Sequence, residues 1–223
     1  MTIKRLPPIT GEIYHIYNKS IADERIFGNL NYLNKILKII DFYRYDQNIR
    51  LSYFKKMKKK VQENYLLEVK NTQPLIDIYA QSFMPNHFHF LLKQLKNDGI
   101  KKFVSNIQNS FAKLFNIINN RDGSLFLNSF KFKRITKEEE FIHVCRYIHI
   151  NHVTSRIIEF DRLATYYFSS YSWYLDSRLN RFIKTDLIWN HFKSKENFIK
   201  FHQDQIDYQR RLSDIKKLLL DDD

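Results

Sequence analysis

Two histidines separated by one residue form the most chemically suggestive pattern in this sequence. His87 and His89 lie in an aromatic and aliphatic run at residues 83–92, which is typical of a buried strand. Alternate side chains of a strand point to the same face, so both imidazoles would share one side, about 7 Å apart along the backbone. Imidazoles held in this way can bind a divalent cation. The alternative is that they are polar residues on a half-exposed face.

A second pattern of this kind lies near residue 147. His143, Tyr147 and Asn151 are spaced four apart, so they would share one flank of a helix. An amphipathic stripe through residues 141–148 predicts that helix. A helix of this kind can present a phenol and an amide to the same ion.

The composition limits the class of protein. The chain has 223 residues, a net charge of +13 and one cysteine, Cys145. The length suits one domain with an extension, or two small domains. A single cysteine excludes an internal disulfide and a cysteine-cluster zinc site, and it predicts a reducing, cytoplasmic environment. The charge favours nucleic acid as the partner, with an anionic membrane surface as the second candidate and a merely basic protein as the third.

The chain shows no sign of a membrane segment. No long uncharged apolar run predicts a transmembrane helix. The first eight residues lack the apolar stretch of a secretory signal. We therefore expect no membrane partner.

Hydrophobic periodicity predicts an alternation of strands and helices. Strands are predicted at 12–18, 75–83, 87–92 and 130–135, and helices at 30–45, 99–120 and 136–151. Asn29 or Asn31 could cap the first helix, and Thr136 with Glu139 fits a capping box for the last. This order predicts an α+β fold in which an antiparallel sheet packs against helices and leaves part of one face for a ligand.

Two regions are harder to interpret. Residues 47–74 include a lysine run from Lys55 to Lys60, which predicts either a solvated helix face or a mobile arm that contacts phosphates. Beyond residue 175, helical amphipathic patterns return around 187–192 and 206–220.

The motifs resemble those of the single-tyrosine HUH transposases, especially the REP-associated tyrosine transposases and their insertion-sequence relatives. Similar segments follow the family's order between residues 10 and 174: YHIYNK at 14–19, IF at 26–27, FMPNHFHFLL at 83–92, GSLF at 123–126, RYIHIN at 146–151 and SSY at 169–171. The resemblance implies an RRM-like HUH endonuclease fold. It also implies a catalytic domain at 1–174 with a basic insertion at about 47–74, and a helical extension at 175–223.

The resemblance further implies a reaction. Its family uses Mg²⁺ or Mn²⁺, and the matching ligands here are His87, His89 and Asn151. Tyr147 matches the nucleophile that attacks single-stranded, hairpin-bearing DNA and forms a 5′-phosphotyrosine link. Monomer and homodimer are both compatible with the sequence, and Tyr147 could act within its own subunit or in a neighbour's. The basic residues expected to contact DNA are Lys19, Arg25, Lys131, Lys133 and Arg134.

Several positions depart from the family pattern. His152 stands where proline is common, Phe168 replaces tryptophan, and Lys19-Ser20 replaces Arg-Gly. The histidine could lengthen the helix or add a metal ligand. A second function therefore stays open, a catalytically silent protein of the same fold that binds hairpin nucleic acid. A hydrolase that uses water is a third, for which no acidic residue adjoins the histidines.

Other residues compete for roles near the nucleophile. His143 or His149 could activate Tyr147, although both are expected to lie on the helix surface, and His15 is expected to be a packed or sheet-face residue. The remaining candidates for the nucleophile, on the basis of predicted exposure, are Tyr166, Tyr167 and Tyr171.

Overall fold

A four-stranded antiparallel sheet forms the centre of the structure, a computed structural model that describes residues 6–211. The strands are β1 at Ile13–Lys19, β2 at Ile76–Met84, β3 at His87–Gln94 and β4 at Lys131–Ile135. Their order across the sheet is β2-β3-β1-β4, so the two strands with the most polar rings, β1 and β3, are central neighbours. The predicted α+β fold with an RRM-like sheet is confirmed.

Helices cover both faces of this sheet. Their bounds are α1 Leu30–Tyr43, α2 Leu51–Phe54, α3 Lys59–Lys70, α4 Gly99–Ile118, α5 Glu138–Thr154, α6 Tyr171–Leu175, α7 Asp186–Trp189 and α8 Lys195–Gln203. Short 3-10 helices lie at Ile21–Asp23, Phe160–Thr165 and Ser177–Leu179. Helices α1 and α4 pack together on one face, whereas α5 packs across β2 and β3.

Phenylalanine rings close the face that α1 and α4 cover. Phe90 of β3 meets Phe83 of β2 at a ring-centroid distance of 5.7 Å and Phe103 of α4 at 5.9 Å. Phe27 stacks on Phe111 of α4 at 5.1 Å. Each buried ring contributes about 1.5–3 kcal/mol by removing apolar surface from water. This face therefore provides a rigid support for the strands.

The opposite face carries the polar rings of the sheet, because β-strand alternation sends His15, Tyr17 and His89 to that side. The strand register sets Lys131, Tyr17 and His89 side by side across β4, β1 and β3. The next row of the same face contains Lys133 and His15. The helix α5 lies over this face, so the sheet and α5 together enclose the predicted site.

The N-terminus of α5 differs from the prediction. The helix begins one residue later than a Thr136 cap requires, with Lys137 as the N-cap residue. Consequently Glu140, and not Glu139, is the third helical residue, and its carboxylate accepts a hydrogen bond from the Thr136 backbone N–H at 3.5 Å. The predicted capping box is wrong. The predicted cap of α1 is correct at Asn29, whose side chain accepts from the Tyr32 N–H.

The basic insertion forms the two helices α2 and α3. The run from Lys55 to Lys60 links them and enters the first turn of α3. Side chains from the insertion reach the core through Phe54, whose ring lies 5.1 Å from that of Phe42. Helix α3 has no fully buried residue, in agreement with the predicted solvated helix.

The C-terminal segment contacts α5 through α8, where the Arg146 guanidinium donates to the Phe201 carbonyl at 3.1 Å. The division into domains at residue 174 stays a prediction. The amphipathic pattern at 206–220 lies partly outside the described residues. Within residues 6–211, no helix combines the length and hydrophobicity needed to cross a bilayer.

Candidate active site

The phenol of Tyr147 lies over two imidazoles of the sheet. Its ring centroid is 5.5 Å from that of His89 and 5.9 Å from that of His15, both in edge-on contact. Tyr147 keeps 37% of its surface exposed, whereas His89 keeps 6%. The partly exposed Tyr147 ring therefore lies against the half-buried His15 and the buried His89 of the same chain.

His15 is the site residue that sequence reasoning missed as a functional group. Its Nε2 lies 3.0 Å from His89 Nδ1, and the two rings stack with centroids 5.1 Å apart. The prediction that His15 is a sheet-face residue is correct. Its place beside His89 depends on the β1–β3 register, which pairs Tyr17 with His89. The sequence gives no direct signal for that register.

His87 completes the ring cluster on β3. Its centroid lies 5.0 Å from that of His89, and its Nδ1 lies 2.6 Å from Asn86 Oδ1. When Nδ1 carries the proton and donates it to that oxygen, Nε2 carries the lone pair. The Nδ1 of His89 faces His15 Nε2 at 3.0 Å, and either ring can donate in that contact, so the contact alone does not choose the basic nitrogen of His89.

Burial keeps all three imidazoles neutral. It lowers the pKa of His87 to about 4, with a further lowering by Lys19. It also lowers the pKa of His15 to about 4, with help from Lys133. The pKa of His89 falls well below its usual value, first through burial and then through the neighbouring rings. Neutral imidazoles have a free lone pair at physiological pH, as cation binding requires.

The phenol has the opposite perturbation. Burial, followed by the proximity of Tyr17, raises the pKa of Tyr147. The protein alone therefore stabilises the protonated phenol, so Tyr147 needs a neighbouring positive charge or a base to become a nucleophile.

Asn151 lies one helical turn beyond Tyr147 on the same flank of α5, with 5% of its surface exposed. Its Oδ1 accepts from Ser155 Oγ at the long distance of 3.5 Å. Its Nδ2 is buried without a hydrogen-bond partner among residues 6–211. Buried amides are normally satisfied; this unpaired group is a donor, whereas only the Oδ1 atom of Asn151 could bind a cation.

Two neutral imidazoles and an amide oxygen could hold a divalent cation and would leave coordination positions open. No hydrogen bond joins Asn151 to His87 or His89 in the described chain. No cluster of three or more His, Cys, Asp or Glu side chains in the described residues is arranged to hold a metal. The predicted set contains an amide and is of a different kind.

His152, the departure from the family pattern, lies within the helix, which continues to Thr154. Both of its ring nitrogens face protein atoms, since Nδ1 lies 3.3 Å from Ser82 Oγ and Nε2 lies 3.0 Å from the Phe83 carbonyl. These contacts tie α5 to β2. They favour a structural role for His152 over a metal-ligand role.

Neither predicted helper histidine contacts Tyr147. His143 lies at the surface beside Arg146, with 2.5 Å between its Nδ1 and the guanidinium. The prediction that His149 lies at the surface is wrong, because it is fully buried and its Nδ1 lies 3.0 Å from His202 Nε2.

The rival tyrosines lie away from the histidines of β3. Tyr171 is buried, contrary to its predicted exposure, and Tyr166 packs on the His152 ring at 4.7 Å. Tyr167 is exposed, but no ring contact joins it to His87 or His89 in the described chain. Tyr147 is the tyrosine that combines exposure with contact to the histidine cluster.

Three of the predicted DNA-contacting residues lie on the sheet face of the histidines, namely Lys19, Lys131 and Lys133. The other two, Arg25 and Arg134, do not border the ring cluster. Lys131 and Lys133 share the sheet face of the histidines, although Lys133 is paired with Glu140 at 2.6 Å. Lys19 stands opposite His87 across β1 and β3. Arg134 is held by two contacts to Glu12, the shorter at 2.7 Å. Arg25 is exposed in the connection that follows β1.

The fold and the contact of Tyr147 with the histidines agree with the resemblance to tyrosine transposases. Residues 46–151 match the family model described as "Transposase IS200 like", a span that contains His87, His89, Tyr147 and Asn151. This part of the chain is similar to that family, and the resemblance predicted from the sequence is confirmed.

A solved structure supports the same fold. The chain is similar to a REP-associated tyrosine transposase bound to a REP hairpin, with a TM-score of 0.52 and 16% identity over 81% of this chain and 89% of that one. At this identity the likeness shows the fold. A comparison with curated proteins finds no match.

Proposed function

We propose that the protein is a metal-dependent endonuclease and strand transferase of single-stranded DNA that forms a 5′-phosphotyrosine intermediate at Tyr147. The observation that carries this proposal is the contact of an exposed phenol with buried, neutral histidines, 5.5 Å from ring to ring. A packing role alone would not explain the exposure of Tyr147, and a position at the surface alone would not explain its contact with these histidines. The family of residues 46–151 supports a transposase reaction.

In this proposal Mg²⁺ or Mn²⁺ binds to His87 and His89 through their Nε2 atoms and to Asn151 through its amide oxygen. When bound, such an ion polarises a phosphate and offsets the negative charge that develops on it during displacement. Burial supports the role of the two imidazoles, because it keeps them unprotonated at neutral pH.

Tyr147 supplies the nucleophile. Its Oη forms a bond to phosphorus while the bond to the 3′ oxygen of the preceding nucleotide breaks. The phenol loses a proton and the departing 3′ oxygen gains one, so the strand ends as a free 3′-OH. The new phosphotyrosine bond conserves the phosphodiester energy, so a 3′-OH can later attack it and rejoin the strand. Because Tyr147 and His89 of the same chain are in contact, we propose that the nucleophile acts in its own subunit.

The lysines on the site face would guide the DNA. Lys131 and Lys133 border the ring cluster on β4, and Lys19 borders it on β1. Basic side chains follow phosphates, and exposed aromatic rings stack on unpaired bases. Lys131 is the strongest candidate, because Lys133, Lys19 and Arg134 each have a carboxylate partner, Glu140, Asp23 and Glu12 respectively. Arg25 lies in a separate loop. The structural neighbour bound to a REP hairpin supports hairpin-bearing DNA as the substrate.

The test is the formation of a covalent protein–DNA adduct. Purified protein is incubated with single strands that carry hairpins of varied sequence and with Mn²⁺, and adducts are separated on a denaturing gel. We expect an adduct with the parent protein and none with Tyr147→Phe. Tyr167→Phe, a matched change at another exposed tyrosine, should retain it.

Two results would overturn the proposal in different ways. Salt-sensitive hairpin binding without any adduct from the parent would identify a catalytically silent binding protein. Cleavage that persists in Tyr147→Phe would identify a hydrolase that uses water.

A further inference from the structure

The bend between β2 and β3 is fixed to the connection that follows β1. The Ser20 N–H donates to the Asn86 carbonyl at 2.8 Å, and the Phe27 N–H donates to the Pro85 carbonyl at 3.0 Å. Two backbone hydrogen bonds therefore hold the residues on either side of the 3-10 helix Ile21–Asp23 against the residues that precede His87. Side chains on the two segments are kept at constant distance.

A chain of polar contacts crosses this junction. Lys19 Nζ lies 2.5 Å from Asp23 Oδ1. Asn86 Nδ2 donates to the same carboxylate oxygen at 2.8 Å. Asn86 Oδ1 lies 2.6 Å from His87 Nδ1. Both Ala22 and Asp23 have positive φ angles, 52° and 56°, a conformation that few non-glycine residues adopt and that aims the Asp23 carboxylate at Asn86.

The chemistry of these groups fixes the direction of every hydrogen bond. A lysine ammonium only donates, and an ionised carboxylate only accepts. The hydrogen bond from Lys19 lowers the pKa of Asp23, which keeps it ionised. The amide NH₂ of Asn86 must therefore face Asp23, and its oxygen must face His87. Because that oxygen only accepts, His87 must carry its proton on Nδ1.

We propose that Asn86, oriented by Asp23, is a positioning residue that fixes the tautomer of His87 and so directs the lone pair of Nε2 into the site. This inference rests on the proposed function, in which His87 binds the catalytic ion. Partners of this kind set the ring orientation and basicity of a metal-binding histidine. Asn86 touches neither the DNA nor the ion in this account, and it acts only through His87.

His89 provides an internal contrast. Its Nδ1 faces His15 Nε2 at 3.0 Å, and either imidazole can donate or accept in that contact. Its tautomer is therefore not determined by the contact alone. His87 is the histidine of the pair whose protonation site is dictated by charged groups outside the ring cluster.

The experiment measures the His87 tautomer directly. Imidazole ¹⁵N chemical shifts are recorded by NMR on the full-length, metal-free protein, with His87→Gln used for assignment. The parent should show His87 with a protonated Nδ1 and an unprotonated Nε2. Asn86→Leu, of similar size and without polar atoms, should show exchange between both tautomers. The swapped pair Asp23→Asn with Asn86→Asp keeps an acceptor beside Nδ1 and a donor on its other side, so it should restore the parent pattern.

A second readout is the affinity for Mn²⁺, measured from the free-ion signal by electron paramagnetic resonance. Asn86→Leu should weaken binding by about 10- to 100-fold, whereas the swapped pair Asp23→Asn with Asn86→Asp should recover most of it. Asn119→Leu is the matched control, because Asn119 bonds the Tyr32 hydroxyl on the α1–α4 face. It should change neither readout.

Exposed variants guard against misfolding of Asn86→Leu. Asp23→Asn lets the Asn86 amide turn either way, so it should produce a mixture of His87 tautomers without loss of the fold. A mixture of tautomers in the parent, or an unchanged pattern in both Asn86→Leu and Asp23→Asn, would overturn the inference. Correct tautomers without Mn²⁺ binding by the parent would support the positioning role and overturn the metal site of the proposed function.

Discussion

Two histidine pairs, each with ring nitrogens 3.0 Å apart, lie on opposite flanks of α5. In the first pair, which we call the open pair, His15 and His89 have ring nitrogens 3.0 Å apart beneath Tyr147. In the second, the closed pair, His149 and His202 also have nitrogens 3.0 Å apart. Residues two apart on a helix point in nearly opposite directions, so Tyr147 and His149 carry the same helix toward two different environments.

The hydrogen bonds of the closed pair are complete. His202 Nδ1 donates to the Phe198 carbonyl at 2.8 Å, so its Nε2 accepts from His149 Nδ1. His149 Nε2 then accepts from Ser170 Oγ at 3.1 Å, and that oxygen accepts from the Gln81 N–H at 2.9 Å. Every ring nitrogen has a defined partner. This pair holds α8 against α5 and has no lone pair left for a ligand.

The open pair differs in this respect. His89 and His15 each use one nitrogen for their mutual contact, and their other nitrogens make no hydrogen bond within residues 6–211. The same residue type at the same distance is thus structural on one flank of α5 and suited to ligand binding on the other. Free ring nitrogens beside the exposed Tyr147 ring distinguish the two pairs, and histidine count alone does not.

The largest effect on adduct formation is expected from the histidines beneath and beside Tyr147, which are His15, His87 and His89. His87→Ala should lower adduct formation about 1,000-fold, equivalent to about 4 kcal/mol, because it removes one of the proposed cation ligands. His143→Ala, an exposed histidine on α5, is the control and should retain activity. Adduct yields are compared at equal protein and Mn²⁺ concentrations. Equal losses of adduct in both variants would show that His87 matters no more for activity than an exposed histidine of α5.

The closed pair should affect folding and not chemistry. His202→Ala should lower the free energy of unfolding by about 3 kcal/mol, because it creates a cavity and leaves the His149 Nδ1 group without a partner. Urea denaturation followed by circular dichroism measures this change. His143→Ala should cost less than about 0.5 kcal/mol. An unchanged urea midpoint in His202→Ala would show that the C-terminal segment does not depend on the pair.

Acid should weaken the closed pair. Burial lowers the pKa of His202 to about 3 and that of His149 well below its usual value. The unfolded chain therefore binds protons that the folded chain does not, and stability falls as the pH drops below about 6.5 toward the folded pKa values. Each ring contributes up to about 1.4 kcal/mol per pH unit. Urea midpoints between pH 7.5 and 5 measure the slope.

A variant isolates the contribution of one ring. His202→Gln should flatten that slope by about 1.4 kcal/mol per pH unit, and the difference from the parent removes the parallel contributions of the other buried histidines. Identical slopes in the two proteins would contradict a neutral, buried His202.

The smallest effect is expected for the basic residues of β4 that border the histidine cluster, and it concerns DNA affinity. Lys131→Ala should weaken DNA binding modestly and reduce the salt dependence of the affinity by about one ion, because Lys131 is an exposed residue of the site face and one phosphate contact is lost. Arg134→Ala should change the slope less, since Arg134 is already paired with Glu12. Fluorescence anisotropy at several salt concentrations gives both slopes. A larger change for Arg134→Ala would reverse the proposed path of the DNA.

Much of the sheet and of the site was predictable from sequence because the signals are local. Alternation identified β1 and β3, and the four-residue spacing placed Tyr147 and Asn151 on one flank of α5. The location of Tyr147 above His89 followed only from the family resemblance. No local pattern reports a contact between residues so far apart in the chain.

The misses share one cause, which is tertiary contact. His15 entered the site through the register of β1 against β3. His149 was predicted to be exposed, but α8 covers it with His202. Tyr171 is buried because its ring stacks on Phe198 of α8 at 5.6 Å. The environment of each of these residues depends on a segment that is distant in the sequence, so the neighbouring residues in the chain do not predict it.

The most direct test of the central claim is to locate the DNA attachment by mass spectrometry. Trypsin cleaves after Arg146 and Arg156, which releases residues 147–156, YIHINHVTSR, a peptide with a single tyrosine. After nuclease and trypsin digestion of the adduct, the account predicts a nucleotide linked through its 5′ phosphate to this peptide. Attachment within residues 163–178, which contain Tyr166, Tyr167 and Tyr171, or no attachment to any tyrosine, would contradict it.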